Sequence, residues 1–163
     1  MNDSLSSFDP SSFLDATTTE QSVRRPPLPP GDYTAVTGEL KARQWTSKKQ
    51  DAKIKAGIAF DVPLTLEVPL HIQEELKLPQ TTVTMNDSIM VETTPQGGID
   101  YGVGKNPSLR RWREATDLNT PGQPFNPRML GGKVVKVKIG HRIAEEGPSA
   151  GEIFDEIQGV AKP

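Results

Sequence analysis

The stretch DYTAVTGELKARQW alternates along its length: Val36, Leu40 and Ala42 share one parity, and Tyr33, Glu39, Lys41, Arg43 and Trp45 share the other. A period of two with charges on one side predicts a strand with one face in water. Gly38 sits inside it, where a bulge would shift the parity of everything downstream. The polar, basic TSKKQDAKIKAG follows as a loop. GIAFDVPLTLEV then alternates more strongly, with Ile58, Phe60, Val62, Leu64, Leu66 and Val68 inward and Asp61, Thr65 and Glu67 outward. HIQEELKL, enclosed by Pro69 and Pro79, suits one or two helical turns. A third strand falls within 82–94, best in SIMVETT. After the glycine-rich PQGGIDYGVG comes a helix over about 107–118, then a strand in KVVKVKIGHR with Val135, Val137 and Ile139 on its inner side, and a last strand in EIFDEIQGV.

The resulting order is strand, strand, strand, helix, strand, strand, with a long loop between the first two. It matches a mainly β fold, a five-stranded OB-like barrel whose helix between strands three and four plugs one end. The barrel domain is expected over 32–160. Residues 1–31, rich in Ser, Thr, Asp and Pro and closed by RRPPLPPG, read as an extended or disordered arm.

The helix start, GKNPSLRRWRE, also tests for a phosphate cradle. A P-loop needs a glycine five residues before Gly104 and a hydroxyl after Lys105, and the chain has Ile99 and Asn106 there. Asn106 and Pro107 instead suit an N-cap and a first helical position. Leu109, Trp112, Ala115 and Leu118 recur at helical spacing, so Trp112 is expected in the core. Arg110 with Glu114 and Arg113 with Asp117 would form i, i+4 pairs.

Composition changes this picture in three ways. Only 34% of the 163 residues are hydrophobic and 15 are proline, so part of the chain is expected not to pack. Cysteine is absent, which removes disulfides, thiol catalysis and thiolate metal sites. No apolar run approaches a membrane span and no signal peptide is evident, so a soluble, cytoplasmic protein is expected. His71 and His141 stand far apart, no nucleophile elbow occurs, and the pairs Glu74/Glu75 and Glu145/Glu146 lie in polar segments. These absences favour a binding module over an enzyme, with no cofactor and no metal.

Net charge is −2, yet the bases concentrate: Lys41, Arg43, Lys48, Lys49, Lys53 and Lys55 face the single acid Asp51, between acidic ends. That distribution suits one polyanion-binding face. Single strands are held by a basic groove with aromatic faces for base stacking, and Trp45 stands between Arg43 and Lys48. It is either a base platform or a cap on the barrel end, and Tyr33 shares its parity. Lys136, Lys138 and Arg142 share a face of the fourth strand, a second candidate phosphate stripe. Lys105 and Arg111 lack an obvious acidic partner and form a candidate rim.

FDPSSFLDATTTE, RRPPLPPGDYTAV, GGIDYGVGKN with LRRWREA, and MLGGKVVKV resemble a family of small bacteriophage proteins described as single-stranded DNA-binding or replication-module proteins. The resemblance spans most of 8–142 and implies an OB-like domain acting on single-stranded DNA in an infected bacterium. Phage replication proteins and further copies of the chain are then candidate partners. The alternative is a virion component or host-protein inhibitor that uses its arm, with Phe8, Phe13 and Leu14 as anchors, for assembly.

Overall fold

The strands predicted from alternation form a single antiparallel sheet organised by one long member. The computed structural model describes residues 8–51, 53 and 56–163. In chain order the elements are α1 (Pro10–Leu14), β1 (Gly31–Thr37), β2 (Lys41–Thr46), β3 (Ala56–Glu67), α2 (Leu70–Leu76), β4 (Thr82–Val91), α3 (Pro107–Ala115), β5 (Val134–Ile143) and β6 (Ile153–Ala161). One edge of β3 carries β4 along nearly its whole length, from Ile58 opposite Val91 to Glu67 opposite Thr82. The other edge carries β2 on its first half and β1 on its second. β5 pairs with β1 and β6 with β5, giving the order β2-β3-β1-β5-β6 with β4 beyond β3.

Two expectations are corrected here. There are six strands rather than five, because the predicted first strand divides between Thr37 and Lys41. Thr37 pairs with Leu64 and Lys41 with Asp61, so three residues stand against two. Gly38 bridges the gap by donating its N–H to the Pro63 carbonyl at 2.8 Å. A Cβ on Gly38 would lie 2.9 Å from the Pro63 ring, so the close approach needs glycine. The sheet is also open: β4 and β6 share no register. Helix α3 packs against both strands across that seam.

The parity of β1 is the reverse of the alternation expected. Tyr33, Ala35 and Thr37 are buried, while Val36 is 42% exposed. Thr37 is tolerated inside because its hydroxyl is fully engaged, donating to the Leu130 carbonyl and accepting from the Lys133 N–H. Tyr33 donates its hydroxyl to the Pro29 carbonyl at 2.6 Å. The inward sets of β3 and β5 agree with the pattern: Phe60, Val62, Leu64, Leu66, Val135, Val137 and Ile139 form the core with Leu109, Trp112 and Ala115 of α3.

The core begins earlier than the first strand. Leu28, in the proline-rich stretch, is fully buried. Its N–H donates to Asp155 at 2.7 Å, and its carbonyl lies 2.7 Å from the His141 ring. Residues 8–23 are exposed throughout, and Pro10–Leu14 forms one helical turn capped by Asp9.

Candidate nucleic-acid interface

Register decides which side chains share the outer face of β2, β3 and β4. Directly opposed residues in a sheet point the same way. Trp45 therefore stands beside Gly57; Arg43 beside Ala59 and, through it, Met90; Lys41 beside Asp61 and, through it, Ser88. The face combines an indole, a guanidinium, an ammonium and a thioether, interrupted by one carboxylate.

Trp45 is partly buried and its indole closes over Gly57. A Cβ at position 57 would come within 2.9 Å of its Cζ2 and Nε1, so only glycine admits the ring in this pose. Its Nε1 is covered and has no hydrogen-bond partner among the described residues. Trp112 differs in kind: it is 2% exposed and donates Nε1–H to Asp87 at 2.9 Å. The two tryptophans thus divide into a surface ring and a core plug.

Arg43 is not free on this face. Its Nε donates to Asp61 at 2.8 Å, and the Ser88 hydroxyl also donates to Asp61 at 2.7 Å. The Ser88 hydrogen bond, with those from Arg43, holds the Asp61 carboxyl below its ordinary range. Lys48, Lys49 and Lys53 are exposed on the loop between β2 and β3. Lys55 lies outside the described residues.

The remaining candidates do not join this face. Leu66, level through Ala35 with Val135, stands seven residues along β3 from Ala59, about 23 Å of strand. Lys136 and Lys138 lie beyond that point, opposite Thr34 and Asp32. Arg142 is engaged by Glu156 at 3.6 Å and sits over the Phe154 ring, so the expected acid-free stripe is not present. Lys105 approaches Glu92 at 3.9 Å. Arg111 lines a 140 Å³ cleft in the seam with Ser88 and Gln158.

Three local expectations around α3 are revised. The helix ends at Ala115, not Leu118. Asn106 precedes it but does not cap it. With positive φ it turns its side chain into the protein, where it donates to the Glu92 and Asp100 carbonyls and accepts from the Glu92 N–H. Asp117, past the helix end at φ 57, pairs with Lys162. Arg113 instead donates to the Leu118 carbonyl and stacks over Phe125 at 4.2 Å. Arg110 and Glu114 do approach, at 3.7 Å.

Sequence reasoning passed over Gly57, Met90 and the role of Lys41. Lys41 carried a usable signal, since it shares parity with Arg43 and Trp45. Gly57 and Met90 needed the cross-strand register. Among the described residues no three His, Asp or Glu side chains gather as a metal site requires, and no helix is long and apolar enough to cross a membrane. Comparison with protein-family models, with curated proteins and with solved structures gives no match.

Proposed function

We propose that this chain is a sequence-nonspecific single-stranded DNA-binding protein of OB-like type, a bacteriophage protein serving DNA replication or recombination in the host cytoplasm, and that it is not an enzyme. The observation that carries the reading is Trp45. Its ring covers Gly57 on the outer face rather than entering the core, beside Arg43 and Lys41 and next to a loop with Lys48, Lys49 and Lys53. A partly exposed indole packed over glycine is a candidate platform for a base, and the cations beside it suit the backbone.

The OB-like description is supported by element order. β1 and β2, counted as one interrupted strand, restore five strands with a helix between the third and fourth, and α3 bridges the edges that a closed barrel would pair. In such a fold the face of the second and third strands, with the loop after the first, is a ligand surface. β3, β4 and the lysine loop correspond to it.

Binding of labelled oligo-dT tests the reading. Four or five phosphate contacts from Lys41, Arg43 and the loop lysines give a log–log salt slope of about −3 for a single strand. No binding at low salt would end the proposal. Gly57→Ala offers a sharper check, because it lifts the indole without touching a charge. It should weaken binding as Trp45→Ala does while leaving the salt slope unchanged.

A second reading, a structural or interaction protein that assembles through its arm, is favoured by one observation. Phe8, Phe13 and Leu14 are 57%, 72% and 85% exposed.

A further inference from the structure

Two open surfaces occur among the described residues. The first is the arm. Phe8 and Phe13 meet edge to face at 5.4 Å between centroids, and both, with the neighbouring Leu14, are exposed. The segment from Phe8 to Ser22 carries Asp9, Asp15 and Glu20 and no base.

The second is a groove of 790 Å³ between the Val23–Pro26 stretch on one side and the end of α2 with the start of β4 on the other. Leu76, Leu78, Pro79 and Val83 supply an apolar floor. Arg24, Arg25 and Lys77 bring three bases to its lining. Arg25 is held by Asp155 at 2.8 Å and Arg24 lies 3.7 Å from Glu152, so Lys77 is the lining base with no ion pair among the described residues. The arm's exposed aromatics suit the apolar floor, and its carboxylates suit the Lys77 ammonium.

We infer that the arm of one copy docks in this groove of a second copy of the chain. The groove wall at Val23–Pro26 is the arm's own root, so within one chain the arm would have to reverse beside it. A neighbour's arm lies along the groove unbent. The eight residues from Ala16 to Val23 span up to about 27 Å, enough to cross to an adjacent molecule. The groove lies away from the Trp45 end of the proposed DNA face. Thr84, on its wall, pairs with Thr65, eight residues along β3 from Gly57. Arm exchange and DNA binding therefore occupy opposite ends of the same strand, and one can fail without the other.

The absence of cysteine makes the test direct. Full-length Leu14→Cys protein is mixed with full-length Gln80→Cys protein under mild oxidation, and disulfide-linked dimer is followed on non-reducing gels. The control partner is Thr46→Cys, an exposed site opposite Ala56 at the far end of β3. Docking in trans gives mixed dimer at least about tenfold faster with Gln80→Cys than with the control, through raised effective concentration. Adding Phe8→Ser and Phe13→Ser to the arm, both exposed and outside the core, removes the advantage. Equal rates for the two partners overturn the inference. So does a chain carrying both Leu14→Cys and Gln80→Cys that closes on itself at low concentration instead of dimerising, which would assign the arm to its own body.

Discussion

At the scale of single residues, the two tryptophans give opposite expectations. Trp45→Ala removes a base platform and should weaken oligo-dT binding by about 1–3 kcal/mol. Because the ring is partly exposed and lies outside the core cluster, the melting temperature should fall by less than it does for Trp112→Ala. Trp112→Ala empties a fully packed site and should cost about 3–5 kcal/mol of stability. Fluorescence of single-tryptophan variants separates them, with DNA quenching Trp45 and not Trp112. Asp61, a carboxylate on the proposed face, holds Arg43 at 2.8 Å. Asp61→Asn should release the guanidinium and tighten DNA binding several-fold at low salt, an effect that vanishes as salt rises. Unchanged affinity would mean that Arg43 contributes to the sheet and not to the ligand. Asp87 carries a different signature. Burial raises its carboxyl above the ordinary range, against the opposing hydrogen bonds from Trp112 and the Ser88 N–H. A raised carboxyl pKa favours the folded state below the unfolded value of about 4, and that contribution is lost as pH rises through the folded pKa. Asp87→Asn keeps an acceptor for the indole and should flatten this dependence. Asp87→Ala orphans the buried N–H and should cost about 1–3 kcal/mol at any pH.

At the scale of elements, the arm root shows how a polar stretch becomes part of the core. Arg25 makes a two-pronged pair with Asp155, at 2.8 and 3.2 Å, and the Leu28 N–H donates to the same carboxylate. Burial alone would raise the Asp155 pKa, but the hydrogen bonds from Arg25 and Leu28 together with the Arg25 charge outweigh it and hold the group low. The sign is therefore opposite to that of Asp87. Stability from Asp155 is complete above the unfolded value of about 4 and disappears as pH falls through the lower folded pKa. Acid titration of an Asp155→Asn variant should lack this loss, read by chemical denaturation between about pH 2 and 5. Neither contact was legible beforehand, since Arg25 and Asp155 lie at opposite ends of the chain and nothing local pairs them. What was legible is what local periodicity encodes: β3, β5, the position and apolar stripe of α3, and the place of Trp45 next to the lysine loop. The parity of β1 was not, because its inward positions are Tyr33, Ala35 and Thr37, and a satisfied hydroxyl stands where the pattern wants an aliphatic. Asn106 misled for a related reason. Its sequence context suits a cap, while a pair of carbonyls 6 and 14 residues upstream captures its amide.

At the scale of the whole molecule, the boundary between arm and body decides what truncation does. Proline-rich composition sets that boundary near residue 31, whereas packing sets it near Val23. Beyond Val23 toward the amino terminus every described residue is exposed; past it, Arg25 pairs with Asp155, Leu28 is fully enclosed and Pro29 accepts from Tyr33. Leu28 is hydrogen-bonded to Asp155 of β6 and meets His141 of β5, and the next residue, Pro29, accepts from Tyr33 of β1, so this stretch ties the amino-terminal segment to the last strands of an open sheet. An open sheet has no closing ladder between β4 and β6 to compensate if that tie is cut. Removal of residues 1–22 should therefore leave the melting temperature and the oligo-dT affinity unchanged and alter only association between copies. Removal of residues 1–30 should strip a buried leucine and orphan a partly buried carboxylate, at about 2–5 kcal/mol for the leucine alone. For a domain of this size that lowers the melting temperature by roughly 5–15 °C. Two melting curves and one binding isotherm on each truncation distinguish the cases. Equal melting temperatures for both would show that the proline-rich stretch is ornament on an already complete core, and a loss of stability in the shorter deletion would move the core boundary into the arm itself.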